Sequence, residues 1–252
     1  CCRPLYFITA LLVVACTILL PTMAFADDPV TIARTALERG DQQYQLGRVE
    51  AACRQYEMAV VVAPEWWYPA YKKALCDMSR GRYRDAYYLL SRARASRDNL
   101  YVIHLAMGRW YRHEEQAAKA ISSYEAAIQA ARGAVVPMIE LADVLISEKR
   151  TGEARLFLKR AQFLSPTNLA VRGRLAKISE ELGHLADAEE LFRYLALYGT
   201  DRRKNIARLA RFYQRHGNSA RAQAALALLV LEKRSDWKLP EPVGAFPEEA
   251  SN

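Results

Sequence analysis

An alanine that returns every 34 residues constrains the fold of this chain more than any other feature of its sequence. No insertion or deletion separates any two of its copies, which are Ala52, Ala86, Ala120, Ala154, Ala188 and Ala222. A constant period of this length is typical of proteins in which one supersecondary element stacks on the next. One copy cannot bury its apolar face alone, so each copy depends on its neighbours for a core.

Other positions of the period explain how each copy folds. When the alanine is numbered position 20, six in-register repeats occupy residues 27–234 and begin near residues 33, 67, 101, 135, 169 and 203. Position 8 is always Gly or Ala, and position 24 is always Tyr, Leu or Phe. Positions 20, 24 and 27 lie on one helix face because they are four and three residues apart. Small residues let two antiparallel helices approach closely, and the large residue fills the space that remains.

Position 15 predicts the turn between the two helices of each repeat. Four repeats have glycine there, which enters the left-handed backbone conformation without a steric cost: Gly47, Gly81, Gly183 and Gly217. The third and fourth repeats have Glu115 and Lys149 instead. The first two repeats also carry Arg39 and Lys73 at position 7, and Gln43 and Asp77 at position 11. Apolar or aromatic residues are usual at these positions, so we expect rotated or imperfectly packed first helices there.

With these residues at these positions, about four-fifths of the chain resembles the tetratricopeptide repeat (TPR) family. The resemblance implies an all-α fold, a right-handed superhelical solenoid of antiparallel helix pairs. It also implies a concave groove lined by the first helix of each repeat, at positions 2, 5, 6, 9, 12 and 13. Some TPR adaptors hold a chaperone's carboxylate with Lys and Asn residues. Leu37 and Asp41 occupy the matching positions here, which disfavours a cytosolic chaperone adaptor.

The first 26 residues predict export. Arg3 precedes an apolar run over residues 5–20, and the sequence Ala24-Phe25-Ala26 follows, which is the pattern of a cleaved signal peptide. Two alternatives stay open, since this segment is long enough for a membrane anchor and residues 13–16 resemble a lipobox ending at Cys16. We therefore expect a protein of the bacterial periplasm or cell envelope, with membrane contact only through this segment. Residues 235–252 are interpreted as a C-terminal tail.

Two of the five cysteines lie outside the N-terminal segment, at Cys53 and Cys76. They fall at similar heights on helices predicted to be adjacent, so a disulfide is one expectation and a pair of buried thiols is the other. An exported protein meets an oxidising compartment in which a disulfide persists.

The residues that vary between repeats predict where a partner binds. The expected groove is aromatic near its N-terminal end and basic near its C-terminal end, and its candidate residues are Tyr68, Tyr71, Leu75, Met78, Arg109, Arg112, Arg174, Lys177, Arg208 and Arg211. Aromatic and arginine side chains dominate binding hot spots, and a basic lining attracts carboxylates. The alternatives are core packing for the N-terminal set and a solvated face for the basic set.

The sequence contains no recognisable catalytic arrangement. Its four histidines occupy different repeat positions, and neither metal-ligand spacing nor a phosphate-binding glycine loop is present. We therefore predict a non-enzymatic scaffold without a cofactor, a metal or a small-molecule substrate, which binds an extended or helical segment of another protein. An acidic segment fits the net charge of +8. The alternative is a binder of an anionic polymer such as an acidic polysaccharide or a nucleic acid. The layout is also similar to that of pilus-assembly lipoproteins, which would imply an assembly factor for an envelope complex.

Overall fold

A computed structural model describes residues 28–231 of the chain, with side chains through residue 228. The predicted signal peptide (residues 1–26) and the predicted tail (residues 235–252) lie outside this range. The described residues contain helices and no strand, as the sequence predicts. Between residues 28 and 231 the structure has twelve helices, which are α1 Pro29–Gln45, α2 Val49–Val62, α3 Trp67–Ser79, α4 Tyr83–Ser96, α5 Tyr101–His113, α6 Ala117–Ala130, α7 Val135–Ser147, α8 Thr151–Leu164, α9 Leu169–Glu181, α10 Leu185–Tyr198, α11 Arg202–Arg215 and α12 Ser219–Leu231.

The helices belong to two compact units. The N-terminal unit contains α1 to α4 up to residue 97, and the C-terminal unit contains α5 to α12 from residue 98 onward. Within each unit, every helix packs against the helix that follows it. The first helices of the second to fifth repeats begin at residues 67, 101, 135 and 169, and α11 begins at residue 202. Helix α1 starts four residues early because Pro29, whose fixed φ suits the first helical position, extends it by a turn.

The repeated small and large residues form the core. The alanine of position 20 is at most 2% exposed in every repeat. In the first and third repeats, position 8 is glycine because an aromatic ring occupies the space beside it. A Cβ at Gly40 would lie 2.5 Å from the Tyr56 ring, and a Cβ at Gly108 would lie 2.5 Å from the Tyr124 ring. The second and fourth repeats have the complementary pair, Ala with Leu, at the same two positions.

The turn between the helices of a repeat has one conformation in all six copies. The four glycines of position 15 have φ between 73° and 78°. Glu115 and Lys149 take the same left-handed conformation, with φ of 56° and 61°. The repeat register therefore imposes the turn even where the residue has a Cβ, at a local cost of about 1 kcal/mol.

The expectation that α3 is rotated is wrong. Lys73 is 7% exposed and Asp77 is fully buried, so α3 presents the usual positions to the interior. The two side chains satisfy each other, because Lys73 Nζ lies 2.6 Å from Asp77 Oδ1 and 2.7 Å from Oδ2. In α1 the corresponding residue, Arg39, is exposed. A buried ion pair thus replaces the apolar contact that the repeat pattern predicts.

Candidate functional site

Ion pairs connect the first helices of successive repeats. In each pair, position 9 of one first helix contacts position 6 of the next, 31 residues further along the chain, and we call such a pair a rung. Three rungs have a closest N–O distance of 2.6 Å, and they are Asp41–Lys72, Arg109–Glu140 and Asp143–Arg174. The first belongs to the N-terminal unit and the other two belong to the C-terminal unit. Each rung joins one cation to one anion, although the order of the charges differs.

The rung at Glu140 has a third member. Arg109 Nε donates to both carboxylate oxygens, at 2.9 and 3.0 Å. The Tyr124 hydroxyl donates to Glu140 Oε2 at 3.1 Å. Burial raises the pKa of Tyr124 well above its ordinary value, and the neighbouring Glu140 charge raises it further, so the phenol keeps the proton that it donates. Glu140 is therefore saturated, and Arg109 is neutralised.

The rung at Arg174 is bidentate. Its Nε and Nη2 atoms donate to Asp143 Oδ1 and Oδ2, at 2.6 and 2.8 Å. These hydrogen bonds raise the pKa of the Arg174 guanidinium above its ordinary value. Arg109 and Arg174 are both paired with carboxylates of α7. Fewer of the predicted basic groove residues are therefore available to a partner than the sequence suggests.

The next pair of rung positions holds two cations. Lys177 of α9 is at position 9, and Arg208 of α11 is at position 6, 31 residues later. Within the described residues, neither side chain forms an ion pair, and Arg208 donates only a long hydrogen bond of 3.3 Å to Asn205 Oδ1. Both residues line two adjoining clefts, of about 570 Å³ and about 540 Å³. The charge pattern of the other rungs is broken at this point of the C-terminal unit.

The other charged residues of the larger cleft differ in whether they have partners within the chain. Glu180 accepts a hydrogen bond from Arg215 at 2.9 Å and contacts His216 Nε2 at 3.1 Å, so this carboxylate already has partners within the chain. Arg211 bonds only to the Ala207 carbonyl of its own helix, at 3.2 Å. Among the described residues, Lys177, Arg208 and Arg211 thus face a single unpaired carboxylate in the cleft, that of Glu181. We call Lys177, Arg208 and Arg211 the cation cluster.

The predicted aromatic residues lie together in the N-terminal unit. The rings of Tyr68 and Tyr71 are stacked with centroids 6.3 Å apart, and the Trp67 ring meets Tyr68 edge-on at 5.3 Å. Tyr68, Tyr71, Leu75 and Met78 are all half-buried. Tyr68 also packs against the core of this unit, so core packing accounts for part of its burial. A partner-binding role for these four residues stays a prediction. Arg112, the other predicted groove residue, is exposed on α5.

Cys53 of α2 and Cys76 of α3 are both buried, and the structure joins them by a disulfide with Cα atoms 5.7 Å apart. This separation lies in the range that a disulfide requires. The bond ties the second helix of the first repeat to the first helix of the second repeat.

Sequence reasoning missed the anions of the rungs. Glu140 and Asp143 were not among the candidates, yet they decide which arginines are available. The signal that identifies them is an opposite charge 31 residues away in the adjoining repeat. In the part of the chain that the structure describes, no group of three or more His, Cys, Asp or Glu residues is arranged to hold a metal ion. No helix between residues 28 and 231 has the length and apolar character needed to cross a bilayer.

No family model and no curated protein matches the chain. Solved structures match it in fold. Pseudomonas aeruginosa pilF is similar with a TM-score of 0.70 and 15% identity, over 82% of this chain and 95% of that one. A tetratricopeptide repeat protein from Parabacteroides merdae is similar with a TM-score of 0.62 and 15% identity, over 80% of each chain. YrrB, described as a TPR protein with an unusual peptide-binding site, has a TM-score of 0.59 and 18% identity, over 72% of this chain and 93% of its own. The chain therefore has the tetratricopeptide repeat fold.

Proposed function

We propose that this TPR-fold protein is a non-enzymatic scaffold of the bacterial cell envelope, which binds a segment of a partner protein along the first helices of its C-terminal unit. TPR-fold proteins are typically interaction modules, and YrrB is one whose peptide-binding site is named in its description. An assembly role in an envelope complex is part of the proposal, and the likeness in fold to pilF supports it.

The proposal is based on two adjoining clefts lined by residues of α7, α9, α10 and α11. One cleft has a volume of about 570 Å³ and the other about 540 Å³. Lys177, Glu181 and Arg208 line both clefts, so the two form one continuous depression. Its lining combines apolar residues such as Ile146 and Phe192 with the charged residues described above. A site of this composition suits a peptide, because apolar contacts supply affinity and a few placed charges supply orientation.

The rungs argue against the anionic polymer as ligand. A polymer such as nucleic acid gains its affinity from many unpaired cations along its track. Arg109, Arg174 and Arg215 are each paired with a carboxylate of this chain. Of the predicted basic groove residues, Arg112, Lys177, Arg208 and Arg211 remain without an ion pair among the described residues, and the last three lie together in one cleft. Such a localised cluster matches a short acidic segment better than an extended polyanion.

The envelope location rests on two features. The apolar N-terminal segment, which lies outside the described residues, has the pattern of an export signal. The Cys53–Cys76 pair has a separation that permits a disulfide, and such bonds persist in the periplasm. An alkaline phosphatase fusion to residues 1–40 tests export directly, since this enzyme is active only after export, and an inactive fusion would remove the envelope from the proposal.

Photo-crosslinking tests the scaffold function. A benzoylphenylalanine replaces Ala170, an exposed residue that lines the cleft, and in a matched control it replaces Leu156, which is 68% exposed on α8. After irradiation in cells, we expect one defined protein to crosslink from position 170 and not from position 156. Equal crosslinking from both positions, or none from position 170, would contradict a partner-binding cleft.

A further inference from the structure

We infer that Lys177 and Arg208 form an incomplete rung that a carboxylate of the partner completes, with Arg211 as a second contact. The ligand is thus assigned a chemical class, an acidic peptide segment. This inference rests on the proposed function, because it names what the cleft recognises.

Three of the five junctions between repeats have a complete rung at this position, whereas the junction between the second and third repeats has Leu75 and Ala106 there. At each complete rung, the residue at position 9 and the residue at position 6 have opposite charges and approach to 2.6 Å. The rung Asp143–Arg174 lies immediately before Lys177 and Arg208 in the same unit. The helices α7, α9 and α11 follow one another with the same period, so the backbone brings positions 177 and 208 together as it brings positions 143 and 174 together. The two pairs of residues therefore occupy equivalent places in the fold, but the pair 143 and 174 has opposite charges and the pair 177 and 208 has two positive charges.

Two cations at a rung position repel each other, whereas an anion between them attracts both. No described carboxylate occupies that place. The nearest rung anion, Asp143, is paired with Arg174, and Glu180 is paired with Arg215 and contacts His216. Glu181 lines both clefts without reaching either cation within 4.0 Å. Lys177 and Arg208 therefore have no carboxylate partner among the described residues, and a carboxylate from outside these residues can bind between them.

Arg211 extends the site along α11. It lies three residues after Arg208, so both guanidinium groups lie on the same face of the helix, and both line the larger cleft. Each guanidinium can hold a carboxylate with two parallel hydrogen bonds, as Arg174 holds Asp143. The site therefore suits a segment with two acidic side chains, one at the incomplete rung and one beside Arg211.

Fluorescence anisotropy with the full chain tests the inference. The probe is a fluorescein-labelled peptide of alternating Glu and Ala, and its control has Gln in place of every Glu. We expect saturable binding of the Glu peptide only, and a loss of about tenfold or more in affinity, equivalent to ~1.4 kcal/mol, for Arg208→Gln. Binding of both peptides alike, or no effect of Arg208→Gln, would overturn the inference.

Lys177→Asp gives the sharper test, because it recreates the charge pattern of Asp143–Arg174. We expect K177D to abolish binding of the Glu peptide while it raises the thermal unfolding midpoint, since Arg208 then has a partner within the chain. The matched control is Arg203→Asp, the same charge change at an exposed residue of α11 that does not line either cleft. Its affinity should fall less than about threefold through long-range electrostatics. Equal losses for both variants would show that only the net charge matters.

Further outcomes separate this inference from the proposed function and from a ligand within the chain. Crosslinking from position 170 without binding of the Glu peptide would overturn the acidic ligand and leave the scaffold function intact. Peptide binding without any crosslinked protein would support the acidic ligand and contradict the scaffold function. Glu248→Gln combined with Glu249→Gln should leave the peptide affinity unchanged. A rise in affinity would mean that the chain's own C-terminal residues occupy the rung, and would overturn the assignment to a partner.

Discussion

The close contact between Gly108 and Tyr124 makes a quantitative prediction about how the repeats specify their packing. Gly108→Ala adds a methyl group 2.5 Å from the Tyr124 ring. In a helix, alanine is more favourable than glycine by about 1 kcal/mol, whereas overpacking of a core costs about 1–3 kcal/mol. The clash outweighs the helix propensity, so we expect the variant to lose about 1 kcal/mol of stability.

The sign of this effect should reverse when the ring is removed. Tyr124→Leu alone leaves a void beside Gly108 and abolishes the hydrogen bond to Glu140, so it should cost about 2–4 kcal/mol. In that background Gly108→Ala meets no ring, and it should stabilise by about 1 kcal/mol. The coupling energy of the double-mutant cycle is therefore about 2 kcal/mol. The double variant reproduces the fully buried pairs Ala74–Leu90 and Ala142–Leu158.

Urea denaturation followed by far-UV circular dichroism measures all four chains of the cycle. Gly173→Ala is the matched control, because a Cβ there would lie 4.0 Å from the nearest atom of another residue, an ordinary contact with Leu195. It should stabilise by about 1 kcal/mol without any second substitution. If Gly108→Ala were equally stabilising with Tyr124 present, the explanation of position 8 by the ring at position 24 would be wrong.

Three other predictions concern stability and covalent structure. Glu115→Gly and Lys149→Gly should each stabilise by about 0.5–1 kcal/mol in urea, because both residues have left-handed φ; destabilisation would refute the strain assigned to them. Asp77→Asn should cost about 3–5 kcal/mol by leaving the buried Lys73 charge unpaired, whereas Lys73→Met with Asp77→Leu should be nearly neutral in the same assay. Alkylation with mass spectrometry should label the cysteines of α2 and α3 only after reduction, with a loss of about 3 kcal/mol on reduction, and labelling of the untreated protein would contradict a disulfide.

The residues that repeat are the ones that sequence reasoning interprets well. Ala52 and its five counterparts predict helix pairs because a buried helix crossing leaves room for a methyl group and little more. The register also locates the turns at Glu115 and Lys149, although neither residue favours a left-handed conformation. In both cases six copies of the repeat support the interpretation, since each copy must meet the same geometric requirement.

The residues that vary are harder to interpret, and for physical reasons. A single Lys or Asp in a sequence suggests solvent, so the burial of Lys73 with Asp77 could not be foreseen from their charges. Glu140 and Asp143 neutralise arginines of neighbouring repeats, and their partners become visible only when the first helices are placed side by side. The groove therefore has fewer basic residues without an ion pair than its sequence suggests. Of its basic residues without an ion pair, Lys177, Arg208 and Arg211 lie together in one cleft and Arg112 lies apart on α5.

A chemical-shift perturbation experiment, in which the full chain is titrated with the Glu–Ala peptide, tests the carboxylate site at the incomplete rung most directly. We expect perturbations centred on Lys177, Arg208 and Arg211, with little change around Tyr68 and Tyr71 or on the second helices. These perturbations should disappear in K177D. Perturbations centred elsewhere, or perturbations at the cation cluster that persist in K177D, would contradict a carboxylate site at the incomplete rung.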